Sequence, residues 1–135
     1  MIIPPLRDKD EWGSGHYLAS RGDRIHKGID IACYPSSILL ADFDAQVIRV
    51  GYPYSKHGEK GYLRLIELAA DAQTRVKYMY IYPSVSPGQF VKKGDELGIV
   101  QDLTIIYPGM INHYHWEVWV EGCHVDPSIW LDKRT

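Results

Sequence analysis

The chain has 135 residues, enough for about one domain, since domains run to roughly 100–200 residues. It is 45% hydrophobic and 24% charged, an ordinary globular balance that excludes disordered and collagen-like character. Fifteen Lys and Arg against 17 Asp and Glu leave a formal charge of -2 without a basic run, which argues against a nucleic-acid backbone as partner.

In chain order, residues 1–20 read as a lead-in to a single domain covering 1–135. Pro4 and Pro5 followed by Arg7, Asp8, Lys9 and Asp10 do not make a secretory signal, which needs a basic start and an apolar core. Short strands are then expected at 28–32, 38–41 and 45–50. Longer ones follow at 62–68, 74–81 and 113–120, with two-residue alternation of apolar and polar positions, and another short one is expected at 96–100. Turn signals separate them: Tyr34-Pro35, Gly51 to Pro53, His57 to Gly61, Ser86-Pro87-Gly88 and Lys93-Gly94. A helical scrap is expected only at 68–72. No stretch approaches the ~20 apolar residues of a membrane-spanning helix. The fold class is therefore mostly β, an antiparallel sheet domain. Ten Tyr and four Trp against two Phe suit either half-buried strands or a groove with polar rims.

Two cysteines, Cys33 and Cys123, permit one disulfide at most and read as ordinary buried thiols. Of the six histidines, His113 and His115 stand two apart in a strand, hence on one face and ~7 Å apart along the backbone. The other face, Tyr114, Trp116, Val118 and Val120, is expected to be core. His26 and Asp30 flank Gly28 where a loop enters a strand. Two imidazoles and a carboxylate are zinc ligands that leave a position open, and zinc so held polarises a carbonyl and acidifies water. A spare histidine could move the proton. Spacing alone does not say which of His113 and His115 is ligand and which is base. Glu117, on their face, is a candidate to orient a ligand histidine. His57 reads as an exposed loop residue, His16 as solvent-exposed, and His124 as packing in a turn.

The flanking residues carry a resemblance. Arg24-Ile25-His26-Lys27-Gly28-Ile29-Asp30 resembles the first signature of the lysostaphin/LytM-type zinc endopeptidases, and His113-Tyr114-His115-Trp116-Glu117-Val118 their second. Tyr78-Met79-Tyr80-Ile81, the segment from Pro87 to Gly98, and Val125-Asp126-Pro127 are similar to the family's central and closing segments. The resemblance implies a sheet domain of the duplicated-hybrid-motif kind. It implies one zinc ion on His26, Asp30 and His115, with His113 as the catalytic histidine. It further implies hydrolysis of peptide cross-links in bacterial peptidoglycan by zinc-activated water. The partner would be a cell-wall stem or cross-bridge peptide, and no nucleic acid. A protein without a visible signal would be made in the cytoplasm and reach a wall after release or by another route.

Tyr80 stands where the family normally supplies a second catalytic histidine. A phenol donates a hydrogen bond to an oxyanion but is a poor proton acceptor. The same tyrosine, with Gly15 to Arg21 and Ile106 to His113, resembles the leukocyte chemotaxin branch of this fold, which implies the alternative of a catalytically silent zinc-binding recognition module. The stretch from Pro87 to Gly98 also resembles the hairpin of biotinyl and lipoyl carriers. Lys92 and Lys93 precede a glycine there and read as a solvated turn.

Overall fold

The computed structural model describes residues 6, 7, 10, 15–21 and 24–128. Twelve strands are present among them: β1 Ser20–Arg21, β2 Arg24–Ile25, β3 Ile29–Ala32, β4 Ile38–Leu40, β5 Ala45–Gly51, β6 Leu65–Ala69, β7 Thr74–Met79, β8 Ile81–Pro83, β9 Phe90–Val91, β10 Glu96–Val100, β11 His113–Val120 and β12 Cys123–Val125. All pairings are antiparallel. The larger sheet runs β12-β11-β7-β6-β5-β9, with β3 also on β11, and a smaller sheet runs β4-β10-β8. No described helix is long and apolar enough to cross a membrane.

The small sheet covers one face of the large one, and the core lies between them. Ile29, Ile31, Val47, Ile66, Leu68, Val76, Tyr78, Tyr114, Trp116 and Val118 from the large sheet meet Leu39, Ile81, Leu97 and Val100 from the small one. Tyr78 shows how a polar aromatic is accommodated. Its ring stacks on Trp116 at a centroid distance of 6.5 Å, and its buried hydroxyl donates to Asp42 Oδ2 at 2.7 Å. A buried hydroxyl without an acceptor would cost more than it contributes.

β11 organises the domain because three strands pair with it. β3 takes its first half, with His115 opposite Asp30 and Trp116 opposite Ile29, while β12 takes its second half. β7 runs along the other edge, with His115 opposite Met79 and Trp116 opposite Tyr78. The alternation expected for this strand holds: Tyr114, Trp116 and Val118 are core. The opposite face is also covered, however, so that His113 is only 2% exposed and His115 7%.

The strand expected at 74–81 breaks at Tyr80. β7 ends at Met79, and β8 begins at Ile81 in the other sheet. Tyr80, between them, has φ 71, a conformation that costs a bulky residue about 1–3 kcal/mol. Both its backbone groups are satisfied: its N–H donates to Arg64 O at 2.7 Å, and its carbonyl accepts from Gln101 N at 2.8 Å. Continued alternation would have set Tyr80 on the core face of Tyr78. The break turns it instead toward His113.

The strand expected from Tyr62 begins at Leu65, because Glu59–Tyr62 forms a 3-10 turn. The helical scrap at 68–72 is absent. Leu68 and Ala69 belong to β6, and the chain then turns with Asp71 Oδ1 accepting from Gln73 N and Thr74 N. Both cysteines are free thiols; Cys33 is partly covered, but Cys123 is exposed rather than buried. Lys92 and Lys93 are exposed in a turn that Gly94 closes at φ 94.

Candidate metal centre

His26 follows β2, Asp30 lies in β3 and His115 in β11. Gly28 lets these elements meet: a Cβ at this position would lie 2.2 Å from the carbonyl oxygen of Trp116 and 2.9 Å from Glu117 Cγ. The hairpin loop therefore presses directly on the β11 backbone. The result is a tight triangle of buried atoms. His26 Nε2 is 3.0 Å from Asp30 Oδ1 and 2.9 Å from His115 Nδ1, and His115 Nδ1 is 2.9 Å from Asp30 Oδ1. These three residues form a group that could hold a metal ion.

The donor chemistry supports that fit. His26 Nδ1 donates to the carbonyl of His16 at 2.8 Å, and His115 Nε2 donates to Glu117 Oε2 at 2.7 Å. Each outer nitrogen is thus spent on an acceptor, and the inner nitrogens turn toward the carboxylate, where in the metal-free protein a proton between His115 and Asp30 takes the place of a cation. Three converging acceptors repel unless a proton or a cation lies among them. A tetrahedral zinc ion, with bonds of ~2.0–2.1 Å, sets its ligand atoms about 3.3 Å apart, so a few tenths of an ångström of expansion would seat it. Glu117 takes the orienting position expected of it and is itself held by Trp119 Nε1 donating to Oε1 at 2.7 Å.

Electrostatics within this cluster are strong. Burial alone would push the Asp30 carboxyl up, but hydrogen bonds from His115 and His26 and the proximity of His113 hold it well below the usual carboxylate range. Burial would pull His115 down; the hydrogen bonds to Asp30 and Glu117 outweigh it and lift the imidazole to about 9. Glu117, which burial would likewise raise, is brought to about 2 by His115 and Trp119.

His113 stands beside the triangle. Its Nδ1 donates to the carbonyl of Ile111 at 2.7 Å, so its Nε2 bears the lone pair, 3.5 Å from Asp30 Oδ2. Burial lowers its pKa, opposed in part by Asp30, which keeps the ring neutral near pH 7. The edge of Tyr80 packs against it, with ring centroids 5.6 Å apart and planes at 82°. The Tyr80 hydroxyl lies 3.0 Å from that of Tyr54. Burial, and then Tyr54, push the Tyr80 phenol well above its usual range. Leu63, Leu103 and Tyr107 form a small second core behind it.

All five residues singled out from sequence thus converge: His26, Asp30 and His115 in the triangle, His113 and Tyr80 beside it. His16 is exposed but supplies its carbonyl to His26, and His57 is exposed in its loop. His124 lies in β12 rather than in a turn, with its Nδ1 2.8 Å from the Tyr17 hydroxyl. Sequence reasoning missed Arg7 and Asp10 in the lead-in. Arg7 Nη1 donates to Asp30 Oδ2 at 2.9 Å, and Nη2 and Nε donate to the two oxygens of Asp10 at 2.7 and 3.1 Å. No motif marks them. Their partners are Asp30 and Ile111, up to 101 residues away.

Comparison with known proteins agrees with this architecture. The sequence profile of peptidase family M23 matches residues 24–127. Over 128 residues the chain is 34% identical to leukocyte cell-derived chemotaxin-2 of Mus musculus, covering 93% of this chain and 79% of that protein. Its fold is similar to that of LytU, with a TM-score of 0.72 and 22% identity, over 98% of this chain and 88% of that one. It is similar also to the catalytic domain of the antimicrobial peptidase lysostaphin from Staphylococcus simulans, with a TM-score of 0.65 and 22% identity, over 92% of each chain.

Proposed function

This chain belongs to peptidase family M23, and from that premise we propose that it is a zinc-dependent hydrolase of peptide cross-links in bacterial peptidoglycan, with one zinc ion on His26, Asp30 and His115. When bound, the ion supplies a Lewis acid for the scissile carbonyl and an acidified water. The chain's own residues do the rest. Glu117 and the His16 carbonyl fix the ligand imidazoles in the tautomers that leave their inner nitrogens free. His113 is the general base: its Nε2 takes a proton and returns it to the leaving amine, a role worth ~10²–10⁴ in rate. Tyr80 keeps its proton at neutral pH and donates a hydrogen bond to the developing oxyanion.

The observation that carries this reading is the tautomer of His113. Its Nδ1–H is spent on Ile111 O, and a neutral Nε2 is left next to the ligand carboxylate without being drawn into the triangle. Digestion of purified sacculi with zinc-loaded protein, followed by mass analysis of released fragments, tests it. New amine and carboxyl ends in the peptide portion are expected.

A second reading has its own support. Tyr80 replaces a histidine that the family resemblance leads one to expect, and a chemotaxin is 34% identical over most of the chain. On that reading the protein is a zinc-binding recognition module. Retained zinc with intact sacculi would favour it, whereas failure to retain zinc would sink both.

A further inference from the structure

Beyond the metal triangle and its base, the lead-in contributes a buried ion pair with two outlets. The side chain of Arg7 is 3% exposed and that of Asp10 8%. Burying ions is expensive, and an apolar pair would anchor a segment at least as well. The arrangement is also specific in geometry. The Arg7 guanidinium uses one edge bidentately on Asp10 and its remaining nitrogen, Nη1, on Asp30 Oδ2. Asp10 Oδ2 in turn accepts from the N–H of Ile111 at 2.9 Å, and the carbonyl of this same Ile111 accepts from His113 Nδ1.

The backbone is built to bring this about. Arg7 N donates to Asp30 O, Gly15 N to Arg7 O, and Asp30 N to Gly15 O, at 2.8, 3.0 and 2.8 Å. A Cβ at Gly15 would fall 2.6 Å from Arg7 Cβ and 2.9 Å from Asp30 Cβ, so glycine is required for the lead-in to lie against β3.

We infer that Arg7 and Asp10 are a positioning pair, which sets the ligand carboxylate of Asp30 through one outlet and the ring of His113 through the other. Arg7 donates to Asp30 Oδ2 and fixes the turn of the carboxylate, so that Oδ1 stays directed at His26 and His115 while His113 Nε2 lies 3.5 Å from Oδ2. Asp10 holds the Ile111 peptide, and through its carbonyl the side of His113 that must keep its hydrogen. The Asp30 outlet rests on the zinc reading above; the His113 outlet does not.

Two measurements separate the outlets. Zinc affinity, read by competition with a chelating dye, should weaken about 10–100-fold in Arg7→Met, and Arg7→Lys should recover part of it because one donor still reaches Oδ2. Long-range proton–nitrogen correlation spectra of the histidine rings in metal-free protein give the second. Asp10→Asn should shift or broaden the His113 signals away from the Nδ1–H form while His26, held by the His16 carbonyl, keeps its own, and Arg7→Met, which also releases Asp30, should move both. Asp10→Asn preserves volume and serves if Arg7→Met does not fold. The pair is not a positioning device if folded variants retain zinc affinity within twofold and leave His113 unchanged, or if His26 and His113 respond alike in Asp10→Asn. A wild type that takes up no zinc would instead defeat the metal reading, and the His113 signals would still decide the pair.

Discussion

At the residue scale, one carboxylate divides its two oxygens between two tasks. Asp30 Oδ1 meets both ligand imidazoles, and Oδ2 faces Arg7 and His113. This division predicts different outcomes for the two kinds of histidine. His26→Ala should lose zinc affinity by more than the ~10–100-fold that loss of an outer partner costs, checked by dye competition. His113→Ala should keep zinc and lose at least ~10²-fold in turnover on sacculi. Turnover equal to wild type would show that the base lies elsewhere. Tyr80→Phe removes only a hydroxyl; if that hydroxyl faces the oxyanion, kcat falls ~10²–10³-fold with KM nearly unchanged. Tyr80→His is the companion variant, and a gain in turnover would mean that the phenol had been limiting.

The element scale is governed by the pairing of β3 with β11. His115 is opposite Asp30 in register, and a slip by one residue would carry every side chain to the other face. Gly28 maintains the approach of the loop before β3. Gly28→Ala would drive a methyl group into the Trp116 carbonyl, and an overpacked site of this kind costs about 1–3 kcal/mol. A lower midpoint in denaturant and weaker zinc binding should appear together. A loss of stability without a loss of zinc would mean that the loop relaxes independently of the triangle.

For the whole molecule, the proposed zinc site would link metal binding to folding. The ligands come from distant parts of the chain, with His26 and His115 separated by 89 residues, so only the folded chain presents them together. Free zinc at 100 times its dissociation constant would stabilise the fold by about 2.7 kcal/mol, a rise of roughly 10 °C in Tm that excess chelator should reverse. The thiols give a pH test. Burial raises Cys33 to about 11, opposed slightly by a hydrogen bond from the Tyr114 backbone. At pH 8 only about one molecule in 10³ then carries the Cys33 thiolate. Alkylation of the folded protein should accordingly go to exposed Cys123, with Cys33 reacting only as the pH nears 11. Unfolding returns Cys33 to its ordinary range, so the associated stability is present below about pH 9 and declines as the pH climbs toward 11.

Local patterns carried much of this protein in the sequence. The strand at His113–Val120, with its core face of Tyr114, Trp116 and Val118, was legible because alternation over eight residues is a local property of one β-strand. The five residues that meet at the candidate site could be named because the segments that hold them resemble a family's motifs, whereas spacing alone left the roles of His113 and His115 undivided. Tertiary structure decided what depends on contacts between distant segments. It covered the histidine face of β11 as well as the core face, and it broke the 74–81 strand at Tyr80, where the chain passes from one sheet to the other. It also drew Arg7 and Asp10 in beside Asp30 and Ile111. A salt bridge across 23 residues and a hydrogen bond across 101 leave no period in a sequence, because their partners become neighbours only when the sheet closes.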